Sequence, residues 1–176
     1  MSEESPLNGL EKKEGIDDNA RKFTLDVIDS DFLRRQKAIS YDLTVDWLIT
    51  DAASEKKIVH KKLDTGEVQY FLIEKVIEGE KRKTDKKRIS EEEYRSHLGS
   101  SMLRVEKRRF EFDLTQNNLL FKVKYDEFAN SKVRMVEVDA DTEADRNAFR
   151  PTDFPFKLTE VTGDVRYYGY HVKEVI

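Results

Sequence analysis

The feature that most constrains this chain is a nearly continuous succession of strand-like segments joined by short turns. Two of them, KKIVHKKL at 56–63 and EVQYFLIEKVI at 67–77, flank Asp-Thr-Gly, a short connection suited to a hairpin. Further strand-like segments lie at 21–28, 39–49, 80–89, 102–114, 119–128 and 132–139. About eight strands in hairpin order with few helices predict a mainly β fold (α+β), an antiparallel β-barrel or a sandwich.

Helix signals are few and short. Ser90 and Glu93 form a capping box, which predicts a helix over 91–98, and 32–38 is compatible with a short helix or a turn. After Gly163, which permits a tight turn, Asp164 can cap a further helix at the C-terminus. The sequence therefore predicts a few flanking helices around the sheet, with irregular structure over 140–157.

Composition narrows the chemistry and the compartment. The chain of 176 residues has no cysteine, which excludes disulfides, thiol catalysis and cysteine-bound zinc and fits a cytoplasmic location. No apolar run reaches membrane-spanning length. The formal net charge of −4 arises within residues 1–20. We therefore expect an acidic, flexible leader at 1–19 and one domain at 20–176.

Charged residues recur at every second position in three strand-like segments. Lys107 and Arg109 share one strand face, and the pairs Lys122/Lys124 and Glu137/Asp139 do the same. Such a face is either solvated, as on an ordinary sheet, or it lines a barrel interior that attracts a polyanion. Alternation alone does not decide between these two interpretations.

Other chemistries have weaker support. The three histidines lack close metal-ligand spacing, and no glycine-rich phosphate loop or nucleophile motif is present. The basic run at 81–88 is compatible with nucleic acid, but equally with a solvated strand or a tunnel wall, so a nucleic-acid partner is not favoured.

Six segments, taken in order, resemble the CYTH family, also called triphosphate tunnel metalloenzymes, and together span most of residues 18–174. They are RKFTL, KKIVHKKLDTGEVQYFLIEK, KRKTDKKRISEEEY, VEKRRFEF with its Lys-x-Arg, MVEVD in place of Glu-x-Glu, and the closing EVTGDVRYYGY.

This resemblance implies an antiparallel β-barrel whose tunnel binds triphosphate-containing substrates. Basic side chains grip the phosphates and carboxylates hold Mg²⁺ or Mn²⁺, which activates water. Carried onto this chain, the implied ligand-binding residues are Lys22, Lys62, Lys75, Arg82, Lys107, Arg109, Lys122, Lys124 and Arg166. The implied metal-binding residues are Glu137 and Asp139.

The chain departs from the family pattern mainly at acidic positions. In the opening Glu-x-Glu-x-Lys motif it has Asp18 and Ala20 before Lys22, and in the middle strand Thr84 and Lys86 stand where alternate glutamates are usual. Lysines in place of carboxylates favour a bound polyanion and disfavour a divalent cation, because like charges repel strongly at short range.

The resulting prediction is a barrel that binds a triphosphate, a nucleotide or another polyphosphate, with hydrolysis not favoured. Two alternatives stay open: a Mg²⁺- or Mn²⁺-dependent triphosphatase, and a structural or protein-interaction barrel whose charges are only solvated. No membrane partner is expected.

Overall fold

A computed structural model describes residues 12–17, 19–51, 53–79 and 81–176, with backbone only at 12–17, 78, 81 and 82. Its strands are β1 (Lys12–Asp17), β2 (Arg21–Thr24), β3 (Ile39–Thr50), β4 (Ser54–Leu63), β5 (Val68–Glu78), β6 (Lys81–Ile89), β7 (Leu103–Gln116), β8 (Leu119–Phe128), β9 (Arg134–Asp139) and β10 (Thr159–Glu160). Its α-helices are α1 (Ser30–Arg35), α2 (Glu91–His97) and α3 (Glu143–Asn147). Short 3₁₀ helices occur at Leu98–Ser100, Pro151–Asp153, Val165–Tyr167 and Gly169–Glu174.

Hydrogen bonds join the described strands in the order β1-β6-β5-β4-β3-β7-β8-β9-β2-β10. The pairings β4–β5, β5–β6, β7–β8 and β8–β9 are all antiparallel. Among the described residues the order ends at β1 and β10, so hydrogen bonds do not close it into a ring. Contacts cluster into two units: the first comprises 43–105 and 12–17, and the second comprises 19–42 and 106–176.

The first unit buries one face of its strands under α2. Ile58 and Ile89 pack there with Leu48 and with Tyr94 of α2. Ser90 caps α2 because its hydroxyl accepts from the backbone N–H of Glu93, as the capping box predicts.

The second unit has the larger core. Phe121, Val123 and Tyr125 alternate along β8 and are fully buried, and they pack with Val136 and Val138 of β9. Residues of α1 and of the segment 149–154 cover this apolar face, and edge-to-face aromatic contacts link them to the strands. The alternation of apolar and charged residues along β8 predicts that its apolar side chains lie on one face, since alternate side chains of a strand share a face.

Most predicted elements are found within one to three residues of their expected bounds, and the mainly β, antiparallel fold with a few flanking helices is confirmed. The turn between β7 and β8 uses Asn117 and Asn118, whose φ values of 48° and 63° suit the asparagine side chain.

Several elements differ from the predictions. Strand β2 ends at Thr24, four residues before the predicted end at 28, and the short helix α3 lies within 140–157, a segment predicted to be irregular. The C-terminal helix after Gly163 is not an α-helix but two 3₁₀ helices. Strand β1 pairs with β6 inside the segment expected to be a flexible leader. Residues 1–11 and Asp18 of that leader lie outside the described residues, so the domain boundary stays a prediction. No helix in the described part of the chain has the length and apolar character needed to cross a bilayer.

Candidate functional site

The second unit carries a charged face on the side of its strands opposite the apolar core. Strand register places Arg109 opposite Asp126, Lys124 opposite Glu137, and Glu137 opposite Lys22. This charged face of the second unit comprises Lys22, Lys107, Arg109, Lys124, Asp126 and Glu137. Its side chains are largely withdrawn from solvent, so this is not the solvated face of an ordinary sheet.

Arg109, Asp126 and Lys107 form the deepest cluster on this face. The Arg109 guanidinium donates from Nε and Nη2 to the two Asp126 carboxylate oxygens over 2.6 and 2.7 Å, and Lys107 Nζ donates to Asp126 Oδ2 over 2.7 Å. Their side chains are 14%, 5% and 16% exposed for Arg109, Asp126 and Lys107 respectively. The two cations of the predicted Lys-x-Arg motif therefore share one buried carboxylate.

Lys22 and Glu137 form the second ion pair on this face. Lys22 Nζ donates to Glu137 Oε1 over 2.7 Å and lies 4.7 Å from the centroid of the Tyr168 ring. The backbone N–H of Lys22 also donates to Thr162 Oγ1 over 2.8 Å. Lys22 is thus held by β9 on one side and by the C-terminal segment on the other.

Burial and neighbouring charges shift the pKa values in this cluster. Burial lowers the pKa of Lys107 to about 8, aided by Arg109 and opposed by Asp126. Burial alone would raise the pKa of Asp126, but Arg109 and Lys107 outweigh it and hold that pKa at about 2. The pKa of Glu137 is likewise well below its usual value, because Lys22 and Arg109 outweigh the effect of burial. Both acids are therefore ionised at neutral pH, and Lys107 loses its proton closer to neutral pH than an ordinary lysine does.

Along β8 and β9 the charged face becomes more exposed to solvent towards Lys122 and Asp139. Lys122 is exposed opposite Asp139, and Lys124 is partly buried opposite Glu137. The carboxylate of Asp139 accepts from the backbone N–H of Ala140 over 2.8 Å and from Arg146 Nη1 over 3.4 Å. The four predicted residues of β8 and β9 thus share one face but differ in depth.

The acidic residues present do not fit a divalent cation. Glu137 is bonded to the Lys22 ammonium and Asp139 to Arg146, so each faces a cation. Within the described ranges, no group of three or more acidic or histidine side chains is arranged to hold a metal ion. Hard cations such as Mg²⁺ need several converging oxygen ligands, and this donor set does not supply them.

The first unit also has a charged face, on the side of β4–β6 opposite α2. Register places Lys75 opposite Thr84, and puts Lys86 on the same face. Of the predicted ligand residues, Lys75 therefore lies on this face, and so does the position of Arg82, whose side chain is not described. Lys62 is exposed and lies on the other face with Ile58, and Lys61 occupies the Lys75 side instead.

Arg166 is exposed and engaged locally. Its guanidinium donates to both carboxylate oxygens of Asp164, over 3.1 and 2.7 Å, and Asp164 also caps the 3₁₀ helix at Val165–Tyr167. The Arg/Tyr-rich C-terminal segment instead reaches the charged face through Tyr168, which contacts Lys22.

Sequence reasoning missed Asp126 as a site residue. The available signal was its position two residues after Lys124, which puts it on the lysine face of β8. An acid among lysines at this spacing indicates an internal ion pair, but its partners become identifiable only when β7 is aligned beside β8.

Comparison with known proteins identifies the fold. No family model and no curated protein matches the sequence. Two solved structures of the inorganic triphosphatase NE1496 are similar to this chain, each with 25% sequence identity over 97% of that protein. They cover 89% and 91% of this chain, with TM-scores of 0.60 and 0.59.

A third solved structure, PH1819 from Pyrococcus horikoshii OT3, has 16% identity and a TM-score of 0.50, covering 73% of this chain and 82% of that one. At this identity the likeness concerns the fold alone. Together the solved structures support the predicted CYTH-like fold.

Proposed function

We propose that this chain binds a triphosphate-containing molecule or another polyphosphate through its basic side chains and does not hydrolyse it. The observation that carries the proposal is the nearly buried Lys107–Arg109 pair, in a chain similar to an inorganic triphosphatase over almost all of that protein. Arg109 and Lys107 are the residues that match the family's Lys-x-Arg motif.

The chemistry of this pair suits phosphate oxygens. A guanidinium presents several N–H donors in a rigid fork, and Asp126 engages only Nε and Nη2 of Arg109. The inner part of the face holds four cations (Lys22, Lys107, Arg109, Lys124) and three acids (Asp126, Glu137 and Glu111, which lies opposite Lys124). The excess positive charge is stabilised by an added anion, and charge-assisted bonds to it are strong where water is scarce.

We also propose further basic residues as candidates for binding the ligand. Lys75 and Arg82 are the candidates in the first unit, and Lys122, Lys124 and Arg166 are candidates in the second unit at more exposed positions. Lys62 is the weakest candidate, since it lies on the α2 side of β4.

Hydrolysis is disfavoured because the acids that could hold a metal ion are engaged by cations. Water attack on a phosphoanhydride in this family relies on a metal held by carboxylates, and here Glu137 and Asp139 are bonded to cations. An active metal-dependent triphosphatase is the second candidate, favoured by the likeness to NE1496, which is itself an inorganic triphosphatase.

Two measurements on the purified full chain test the proposal together. Isothermal titration calorimetry with tripolyphosphate, pyrophosphate and orthophosphate should show affinity rising with the number of phosphates. Phosphate release from tripolyphosphate or ATP should stay at background with Mg²⁺ or Mn²⁺. Binding with multiple turnovers would make the protein an enzyme, and absence of binding would favour an interaction or structural role.

A further inference from the structure

We propose that the form of polyphosphate recognised by this chain is the metal-free anion, and that Mg²⁺ competes with binding instead of supporting it. This inference rests on the proposed function and adds to it the chemical form of the ligand.

The first observation is an unpartnered buried hydroxyl on the basic face of the first unit. We define this basic face by Lys57, Lys61, Lys75, Lys86 and Arg88, which share one side of β4–β6. Thr84 Oγ1 lies on the same side, is buried, and has no hydrogen-bond partner among the residues that the structure describes. A buried hydroxyl without a partner is costly, and an acceptor oxygen from a ligand would satisfy it.

The surroundings of Thr84 are mainly cationic, although Glu55 lies on the same face, opposite Lys75 and 4.0 Å from Lys57 Nζ. Lys75 is its cross-strand neighbour, and Lys86 follows two residues later on the same face, with its Nζ 4.1 Å from the centroid of the Phe71 ring. Hydroxyl and ammonium groups both donate hydrogen bonds, and an ammonium cannot ligate a metal ion. This set therefore suits phosphate oxygens and repels a divalent cation.

The second observation is that acids on the charged face of the second unit are engaged by cations. Asp126 accepts from Arg109 and Lys107, and Glu137 accepts from Lys22. A metal ion approaching either carboxylate would have to displace an ammonium or a guanidinium. Each unit, considered by itself, thus favours an anion without its metal.

The consequence for the ligand follows from charge. Polyphosphates bind Mg²⁺ in solution, which removes two negative charges and occupies some of the phosphate oxygens. The Mg²⁺ complex offers fewer free acceptors to lysine and arginine, and its metal ion is repelled by them. The metal-free anion is therefore the better ligand.

Calorimetric titration of the wild-type chain with tripolyphosphate tests this directly. One solution contains EDTA and the other contains Mg²⁺ in excess over ligand, with ionic strength matched by NaCl. We expect at least tenfold tighter binding in EDTA. Equal or tighter binding with Mg²⁺ would overturn this inference and leave the proposed function intact, whereas no binding in either solution would overturn the proposed function itself.

A variant with glutamates at positions 84 and 86 tests whether this basic face causes the tighter binding of the metal-free anion. We measure the ratio of the tripolyphosphate affinity in EDTA to that in Mg²⁺. We expect the double substitution Thr84→Glu with Lys86→Glu to abolish or reverse the tighter binding in EDTA. Lys87→Glu is the matched control, because Lys87 is exposed on the opposite face of the same strand and should keep the wild-type ratio. If the double variant does not fold, Lys86→Gln should reduce the ratio. A wild-type ratio in a folded acidic or Lys86→Gln variant would overturn the role of this face.

Discussion

Arg109 and Asp126 lie directly opposite each other on β7 and β8 and form a two-point ion pair with donor–acceptor distances of 2.6 and 2.7 Å. Lys107 donates to the same carboxylate. The side chain of Asp126 is only 5% exposed, so this carboxylate keeps two nearly buried cations in fixed positions while no other anion is bound. Its removal should therefore affect both folding and ligand binding.

Replacing Asp126 by Asn should lower the free energy of unfolding by about 3 kcal/mol, because breaking a buried pair leaves uncompensated charges. Urea denaturation measures this loss. Asp113→Asn is the control, since Asp113 is exposed opposite Lys122 and its pair contributes ~1 kcal/mol or less.

The same variant should respond more strongly to a ligand. Tripolyphosphate should raise the melting temperature of Asp126→Asn by more than that of the wild type, because the added anion replaces the missing carboxylate. An equal or smaller shift would show that the polyanion does not reach Lys107 and Arg109.

Replacing Arg109 by Ala should weaken tripolyphosphate binding roughly tenfold or more, since a charge-assisted contact contributes ~1.5–3 kcal/mol. Calorimetry measures the change. Arg108→Ala is the matched control, because Arg108 points to the other face, where it donates to Asp42 and Ser40. If Arg109→Ala folds and binds as tightly as the wild type, Arg109 is not a ligand residue.

Lys107 should make binding depend on pH. Its pKa of about 8 lies below the ordinary 10.5, chiefly through burial and then through Arg109. Tripolyphosphate affinity should fall as pH rises from 7 to 9, because the ligand-free protein loses the Lys107 proton and binding must restore it. Proton uptake is measured by calorimetry at pH 8 in buffers of different ionisation enthalpy.

Whereas tripolyphosphate affinity should fall as pH rises, the stability of the ligand-free protein should increase. Between pH 8 and 10.5 the unfolded chain binds the Lys107 proton more strongly than the native one, so this residue's contribution to the free energy of unfolding rises with pH. Lys107→Arg keeps its charge and should remove both effects. Wild-type pH dependence in that variant would assign the titration to another group.

Replacing Glu137 by Gln should leave tripolyphosphate affinity little changed, because no essential cation is lost with it. Lys22 loses its acidic partner, and the face becomes more positive, which partly offsets any loss of positioning. Phosphate release with Mg²⁺ or Mn²⁺ should stay at background in both proteins. Turnover by the wild type that Glu137→Gln abolishes would make Glu137 part of a catalytic metal site.

Local pattern was sufficient for much of the fold. Period-two alternation assigns Phe121, Val123 and Tyr125 to one face of β8 and Lys122 and Lys124 to the other, and the structure has this arrangement. The helix at 91–97 was also predictable, since a cap depends on residues three positions apart. These features follow from interactions between near neighbours in the chain, which the sequence contains directly.

Tertiary structure alone decided which charges meet and how deeply they lie. Asp126 is a surface-type residue by composition, and only the alignment of β7 with β8 makes it the shared partner of Lys107 and Arg109. Alternation places Lys61 and Lys62 on opposite faces of β4, but only the packing of α2 shows that Lys62 lies on the helix side and Lys61 on the Lys75 side. Burial and ion pairing are set by contacts between residues far apart in sequence, so alternation gives the face of a side chain but not its partner.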